Sequence, residues 1–272
     1  MAKFIKRLLL TFVLVGLVIV IINAYFLNQK RYDWGEGESF NRRISYLQQH
    51  PGEFNTVFIG SSKVIHHFKA QQFDANTEGI RSLNLGNNGM LTPKSLAMAE
   101  AIINDPSINL KFMFLEMDFI QDLADNLHSK RTYYWINPKN LVFVVGSVLV
   151  SNHTVKRKVA LTYQYLISFC DKYLALGIKG SLFRPNSPAG ELTKYEKENS
   201  GYISLDYQLN DESNDRLIAA REHFLADTLE LTSYWKAYQA VIQTPGAENR
   251  IFQTKMENLI NIAEERGTTL IY

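Results

Sequence analysis

Residues 56–62 read Thr-Val-Phe-Ile-Gly-Ser-Ser. The first four are β-branched or aromatic and carry no charge, the pattern of a strand buried on both faces, and the glycine after them lets the chain turn sharply. Two other stretches share this form. Residues 81–85, Arg-Ser-Leu-Asn-Leu, end at Gly86, and residues 111–115, Lys-Phe-Met-Phe-Leu, run into Glu116-Met117-Asp118. Between them a helix is expected, with Thr92 as N-cap, Pro93 at its first position and a stop at Asn104-Asp105-Pro106. In the tail, Ile251, Phe252, Met256, Leu259, Ile260 and Ala263 fall near one face of a helix ending at Gly267, and residues 268–272 read as a further strand. Strands separated by helices of this length need crossover connections, so they run parallel. The expected fold class is α/β, a doubly wound parallel sheet with helices on both faces.

Residues 120–248 fit that alternation poorly. They hold an apolar stretch at 141–150, a basic patch Lys156-Arg157-Lys158, an aromatic helical run at 163–173 and a polar loop around Pro185-Asn186-Ser187-Pro188. They read as a long, mostly helical insertion over the sheet edge, with its aromatics serving in packing. No internal repeat or low-complexity tract interrupts the chain.

The amino-terminal end has a different composition. Residues 8–27, LLLTFVLVGLVIVIINAYFL, form a 20-residue run without a charge, which as a helix spans a hydrocarbon layer of about 30 Å. A cleaved signal would have a shorter apolar stretch and a small-x-small cleavage site, and Asn23-Ala24-Tyr25-Phe26 is a poor one. The run is expected to be an uncleaved transmembrane signal anchor. Lys3, Lys6 and Arg7 precede it against Lys30 and Arg31 after it, which favours residues 1–7 in the cytoplasm and the main domain outside. Residues 28–50 read as a juxtamembrane segment, broken at Gly35 and Gly37 before a short helix, and residues 51–272 as the α/β domain.

The full composition excludes several classes. With 272 residues, 46% hydrophobic, 15 Gly, 7 Pro and one Cys, the chain is neither disordered, collagen-like nor a disulfide-stapled miniprotein. Its net charge of +2 includes the three cations ahead of the anchor, so the remainder offers no electrostatic footprint for nucleic acid. Cys170 is expected as a buried, small apolar side chain. No metal-ligand spacing, phosphate loop or dinucleotide fingerprint is present, so no metal and no cofactor is expected.

In an open parallel sheet, ligands bind beyond the carboxyl ends of the strands. Three such ends carry Gly60-Ser61-Ser62, Asn84-Leu85-Gly86-Asn87-Asn88-Gly89 and Glu116-Met117-Asp118. In this order they resemble the motif blocks of the SGNH (GDSL-like) hydrolase superfamily, in its membrane-anchored branch where the first block reads Gly-Ser-Ser. The match covers residues 55–120 and, in outline, the terminal helix and strand. The resemblance implies a three-layer, flavodoxin-like fold, Ser62 as the attacking serine and Gly89 as a backbone donor to the oxyanion. It sets Asp118 where the family has an Asn donor, and an ionised carboxylate can only accept.

Acyl transfer also needs a base, since a serine hydroxyl is a poor nucleophile until a histidine takes its proton. The family supplies it from a late Asp-x-x-His block, and none occurs in the final 70 residues. Three explanations stand: a sequence shortened at its carboxyl end, a non-catalytic member, or a substitute histidine. Shortening is the expectation adopted. His66 and His67 follow Ser62 too closely for a productive reach and read as rim or capping residues.

The function expected from the resemblance is a membrane-anchored serine esterase or O-acyltransferase acting on acylated cell-envelope glycan or a related polymer. The protein would sit in a bacterial cytoplasmic (inner) membrane as a single-pass protein with its main domain outside. The alternative is a catalytically silent scaffold or binding subunit of an envelope-polymer modification or export complex, with other envelope proteins as partners.

Overall fold

In the computed structural model, the uncharged run at the start of the quoted stretch forms the central strand β1 (Thr56–Ile59). The structure describes residues 2–29, 38–90, 92–117, 135–174, 191–204 and 250–272. β1 pairs in parallel with β2 (Ser82–Asn84) on one side and β3 (Phe112–Leu115) on the other, and β3 pairs in parallel with β4 (Thr269–Ile271). The order β2-β1-β3-β4 makes the chain reverse direction across the sheet at β1. The register places Val57 beside both Leu83 and Met113, so one face of the sheet is a continuous aliphatic layer.

The helices follow from the same pattern. In chain order they are α1 (Ala2–Gln29), α2 (Glu38–Gln49), α3 (Ser62–His67), α4 (Ala70–Ala75), α5 (Thr92–Ile103), α6 (Pro138–Val150), α7 (Val155–Leu174), α8 (Lys194–Glu198) and α9 (Arg250–Glu265). Val57, Ile59, Leu83, Leu85, Met113 and Leu115 join Leu96, Ile102 and Leu259 from α5 and α9 in one cluster. Each such side chain contributes about 1.5–3 kcal/mol relative to exposure. Neighbouring strand residues point the other way. Phe58 stacks on Phe114 with ring centres 4.6 Å apart, and Phe68 and Phe73, at and beyond the end of α3, close over it at 3.9 and 5.3 Å.

Some local expectations shift. Thr92 is the first residue of α5 rather than its cap, and its carbonyl already takes the Ser95 hydroxyl across the first turn at 3.0 Å. The helix read as juxtamembrane, α2, contributes Phe40, Ile44 and Leu47 to the core. It also buries Arg43 completely, where the guanidinium donates to the carbonyls of Asn84 (2.7 Å), Gly201 (3.3 Å) and Ser39 (3.3 Å). Burial pushes the Arg43 pKa down to about 10, against the opposing pull of Glu196. Cys170 is exposed rather than buried, because α7 turns Leu161, Tyr165 and Ser168 inward and position 170 away from them.

The part of 120–248 that is described is helical in α6, α7 and α8. α6 packs on α9, with Phe143 and Phe252 6.1 Å apart, and α7 packs on α6. The loop around Pro185-Asn186-Ser187-Pro188 lies outside the described residues. α1 is a 28-residue helix, and its Lys3–Ile21 stretch is long and apolar enough to cross a membrane.

Candidate functional site

The carboxyl ends of β1, β2 and β3 meet where the strand order reverses, the place at which open parallel sheets form a ligand crevice. Backbone bonds lace these ends together. Leu85 N–H donates to Phe58 O, Asn87 N–H to Gly60 O and Glu116 N–H to Ile59 O, each at 2.8 Å. The three motif-bearing loops are therefore adjacent in space as well as similar in form.

Gly60 is required by crowding. A Cβ there would sit 2.4 Å from Glu116 Oε2 and from Val64 Cγ2. Ser61 is extended and caps α3, its Oγ accepting from Lys63 N–H at 3.2 Å. The same residue donates twice to Glu116, from its N–H (2.5 Å) and its hydroxyl (3.0 Å). Lys63 Nζ lies 3.6 Å from that carboxylate. Ser61 is thus fully occupied in holding the β1 and β3 loops together.

Ser62 comes next, as the first residue of α3. It is exposed, and among the described residues its hydroxyl makes no hydrogen bond. The division of labour between the paired serines comes from the turn: the residue in extended conformation faces inward to cap, and the next projects from the helix start. Gly89 is half-buried at the end of the β2 loop with φ +71°, a left-handed conformation that suits glycine. Asp118 lies outside the described residues.

Asn84, first in the second motif block, is structural. Its side-chain amide donates to the carbonyls of Val64 and Phe68 at 2.8 Å, and its oxygen accepts from Gly86 N–H at 2.8 Å. This ties β2 to α3. Gly86 lies so close to α3 that a Cβ would stand 2.4 Å from Ile65 N.

His66 is buried rather than at a rim. Nδ1 donates to the carbonyl of Ile203 (2.7 Å), since a carbonyl can only accept, and Nε2 lies at hydrogen-bond distance from Asn88 Oδ1 (2.8 Å). Both ring nitrogens are committed away from Ser62. His67 and His50 are exposed and His153 is half-buried, while His128 and His223 lie outside the described residues. Among the described residues, no group of three or more His, Cys, Asp or Glu is arranged to hold a metal ion.

Glu116, named in the sequence only as the start of the third strand end, closes the site by clamping Ser61. Sequence reasoning missed other contributors. Residues 200–203 run beside β2, with Ser200 O accepting from Asn84 N–H (2.8 Å) and Ile203 N–H donating to Ile65 O (3.2 Å). Only Gly201, at φ +80° with Asn84 O 2.5 Å from a Cβ built on it, marked that contact in the sequence. Lys94, in the first turn of α5 after the Gly89 loop, is also drawn inside, at 1% exposure. No protein-family model, no curated protein and no solved structure matches this chain.

Proposed function

We propose that this chain is a membrane-anchored, SGNH-like protein that performs acyl-ester chemistry at Ser62, as a serine esterase or an O-acyltransferase on acylated cell-envelope glycan or a related polymer. The observation that carries the reading is the exposed Ser62 hydroxyl, without a hydrogen bond among the described residues, just past the end of β1 and near the loop that holds Gly89. In this reading the fold is doubly wound, α1 anchors the protein in a bacterial cytoplasmic membrane, and the α/β domain stands outside.

The chemistry runs through few groups. Ser62 Oγ attacks the ester carbonyl carbon while a base takes its proton, and the carbonyl oxygen gathers negative charge. The N–H groups of Ser62 and Gly89 hold that charge, a contribution of about 3–4 kcal/mol per donor in sites of this kind. Collapse expels the alcohol, and water or a sugar hydroxyl then releases the acyl group from Ser62. The base comes from outside the described residues, because His66 spends both nitrogens on Ile203 and Asn88. Asp118 would act by accepting a hydrogen bond and so by orienting a donor.

The second reading, a silent scaffold or binding subunit of an envelope-polymer complex, draws on that same commitment of His66. A fluorophosphonate probe separates the two. The full chain in native membranes should be labelled and Ser62→Ala should abolish labelling; no labelling of the unsubstituted chain would favour the scaffold, and labelling that survives Ser62→Ala would overturn Ser62 as the nucleophile.

A further inference from the structure

α6 and α7 form a hairpin with two apolar sides. At 100° per residue, Leu161, Tyr165 and Ser168 share the face of α7 that packs inward, each 2% exposed or less. Val155, Val159, Tyr163 and Leu166 lie on the opposite face, and Val155, Val159 and Tyr163 are 78%, 64% and 63% exposed. α6 repeats the arrangement, with Phe143, Val144 and Val148 buried and Val142 and Leu149 outward. The outer faces meet in a groove of about 390 Å³ lined almost wholly by carbon. A soluble helix normally turns polar side chains to the side away from the core.

Charge and position say what covers this face. Residues 135–170 contain Lys139, Lys156, Arg157 and Lys158 and not one Asp or Glu. Lys139 is paired with Glu100 at 2.5 Å, and Lys156, Arg157 and Lys158 form the first turn of α7, with Lys156 on the side of the exposed apolar stripe. Lys158 lays its stem along the groove and donates from Nζ to Leu149 O at 2.7 Å. α7 also comes close to α1, the helix long and apolar enough to cross a membrane. An apolar stripe bordered by cations and free of carboxylates is the composition of a helix that lies in a bilayer interface with anionic headgroups.

We propose that the α6–α7 hairpin docks on the surface of the bilayer that α1 crosses, with Val142, Leu149, Val155, Val159, Tyr163 and Leu166 set into the interfacial layer and Lys156-Arg157-Lys158 among anionic headgroups. This rests on α1 being a membrane-spanning anchor and is independent of any chemistry at Ser62. Its consequence is that the α/β domain is held by two attachments, which fixes how the Ser62 crevice faces the membrane instead of leaving the domain to swing on its tether.

The test uses the full chain with Cys170→Ser, reconstituted in vesicles of phosphatidylcholine and phosphatidylglycerol, with single cysteines placed by Val159→Cys, Tyr163→Cys or, as a control on exposed α9 surface, Gln253→Cys. Each carries an environment-sensitive nitrobenzoxadiazole dye. Spin-labelled lipid should quench the dye at 159 and 163 roughly threefold more than at 253, as expected for side chains in the interfacial layer. Lys156→Glu with Arg157→Glu, or omission of phosphatidylglycerol, should reduce that difference, and no response to either would overturn the anionic-surface assignment. Water-like emission at 159 overturns the proposal. So does shielded emission that spin-labelled lipid leaves unchanged, with dependence on protein density pointing to a second copy and independence to another segment of this chain. Flotation reads the anchor separately: a chain that floats without quenching keeps α1 in the membrane and loses the hairpin, and one that does not float loses both.

Discussion

At the residue scale, adjacent and chemically identical serines receive opposite tasks. Ser61 gives its N–H and hydroxyl to Glu116 and its lone pair to Lys63 N–H, while Ser62 carries an exposed hydroxyl with none of these ties. Ser62→Ala should therefore leave stability within about 0.5 kcal/mol while removing the proposed nucleophile, a combination that urea unfolding and fluorophosphonate labelling read together. Gly86 behaves differently. A Cβ there would press against the backbone nitrogen of Ile65, which cannot rotate away. Gly86→Ala should cost about 1–3 kcal/mol by overpacking, visible as a lower urea midpoint.

At the element scale, a carboxylate on one helix ties down two others. Glu100 on α5 pairs with Lys139 at the start of α6 and with Lys255 on α9, and Lys255 is largely buried. Burial by itself would raise the Glu100 pKa, and the two ammonium groups overcome it and hold the carboxyl below its usual value. Glu100→Gln keeps the shape and removes the charge, leaving Lys255 without its anion. A loss of about 1–3 kcal/mol is expected, lower than for a fully buried pair because Lys139 is exposed. Hydrogen exchange should show the loss first in the amides of α6 and α9. The elements themselves were legible where periodicity was strong: the strands of the quoted stretches and the tail helix appear at their expected places. The burial of α2 was not, because its amphipathic pattern fits equally a helix resting beside a membrane and one covering a sheet.

At the scale of the whole molecule, acid and membrane behaviour follow. Glu100, Asp105 and Glu196 all titrate below their ordinary values: burial pushes each upward, and their hydrogen bonds and ion pairs, with Arg42 and Ser39 at Glu196 and with Ser107 and Gln48 at Asp105, outweigh it. In the unfolded chain these groups bind protons first as pH falls, so the stability they contribute is present above the ordinary carboxylate pKa and is lost below it. Urea midpoints should be level near neutrality and fall below about pH 4.5. In Glu100→Gln that decline should be shallower, and an unchanged slope would mean the Lys139–Glu100–Lys255 tie is not a source of acid sensitivity. α1 predicts a separate result. A 28-residue helix with exposed apolar side chains should keep the full chain in the membrane pellet through an alkaline carbonate wash, and release into the supernatant would show a peripheral association instead.

The sequence by itself determined the strand segments, their parallel pairing through crossovers, the amino-terminal apolar helix and the three glycine-marked loops, because these depend on local periodicity and on turn stereochemistry. Tertiary structure alone decided which serine is left exposed, that His66 faces Ile203 and Asn88 instead of Ser62, and that Glu116 spans two loops. It also decided that residues 200–203 line β2 and that α7 has an apolar face on each side, one buried and one bare. These outcomes depend on groups far apart in the chain meeting at one place. No window of sequence holds both partners of such a contact, so periodicity cannot report it.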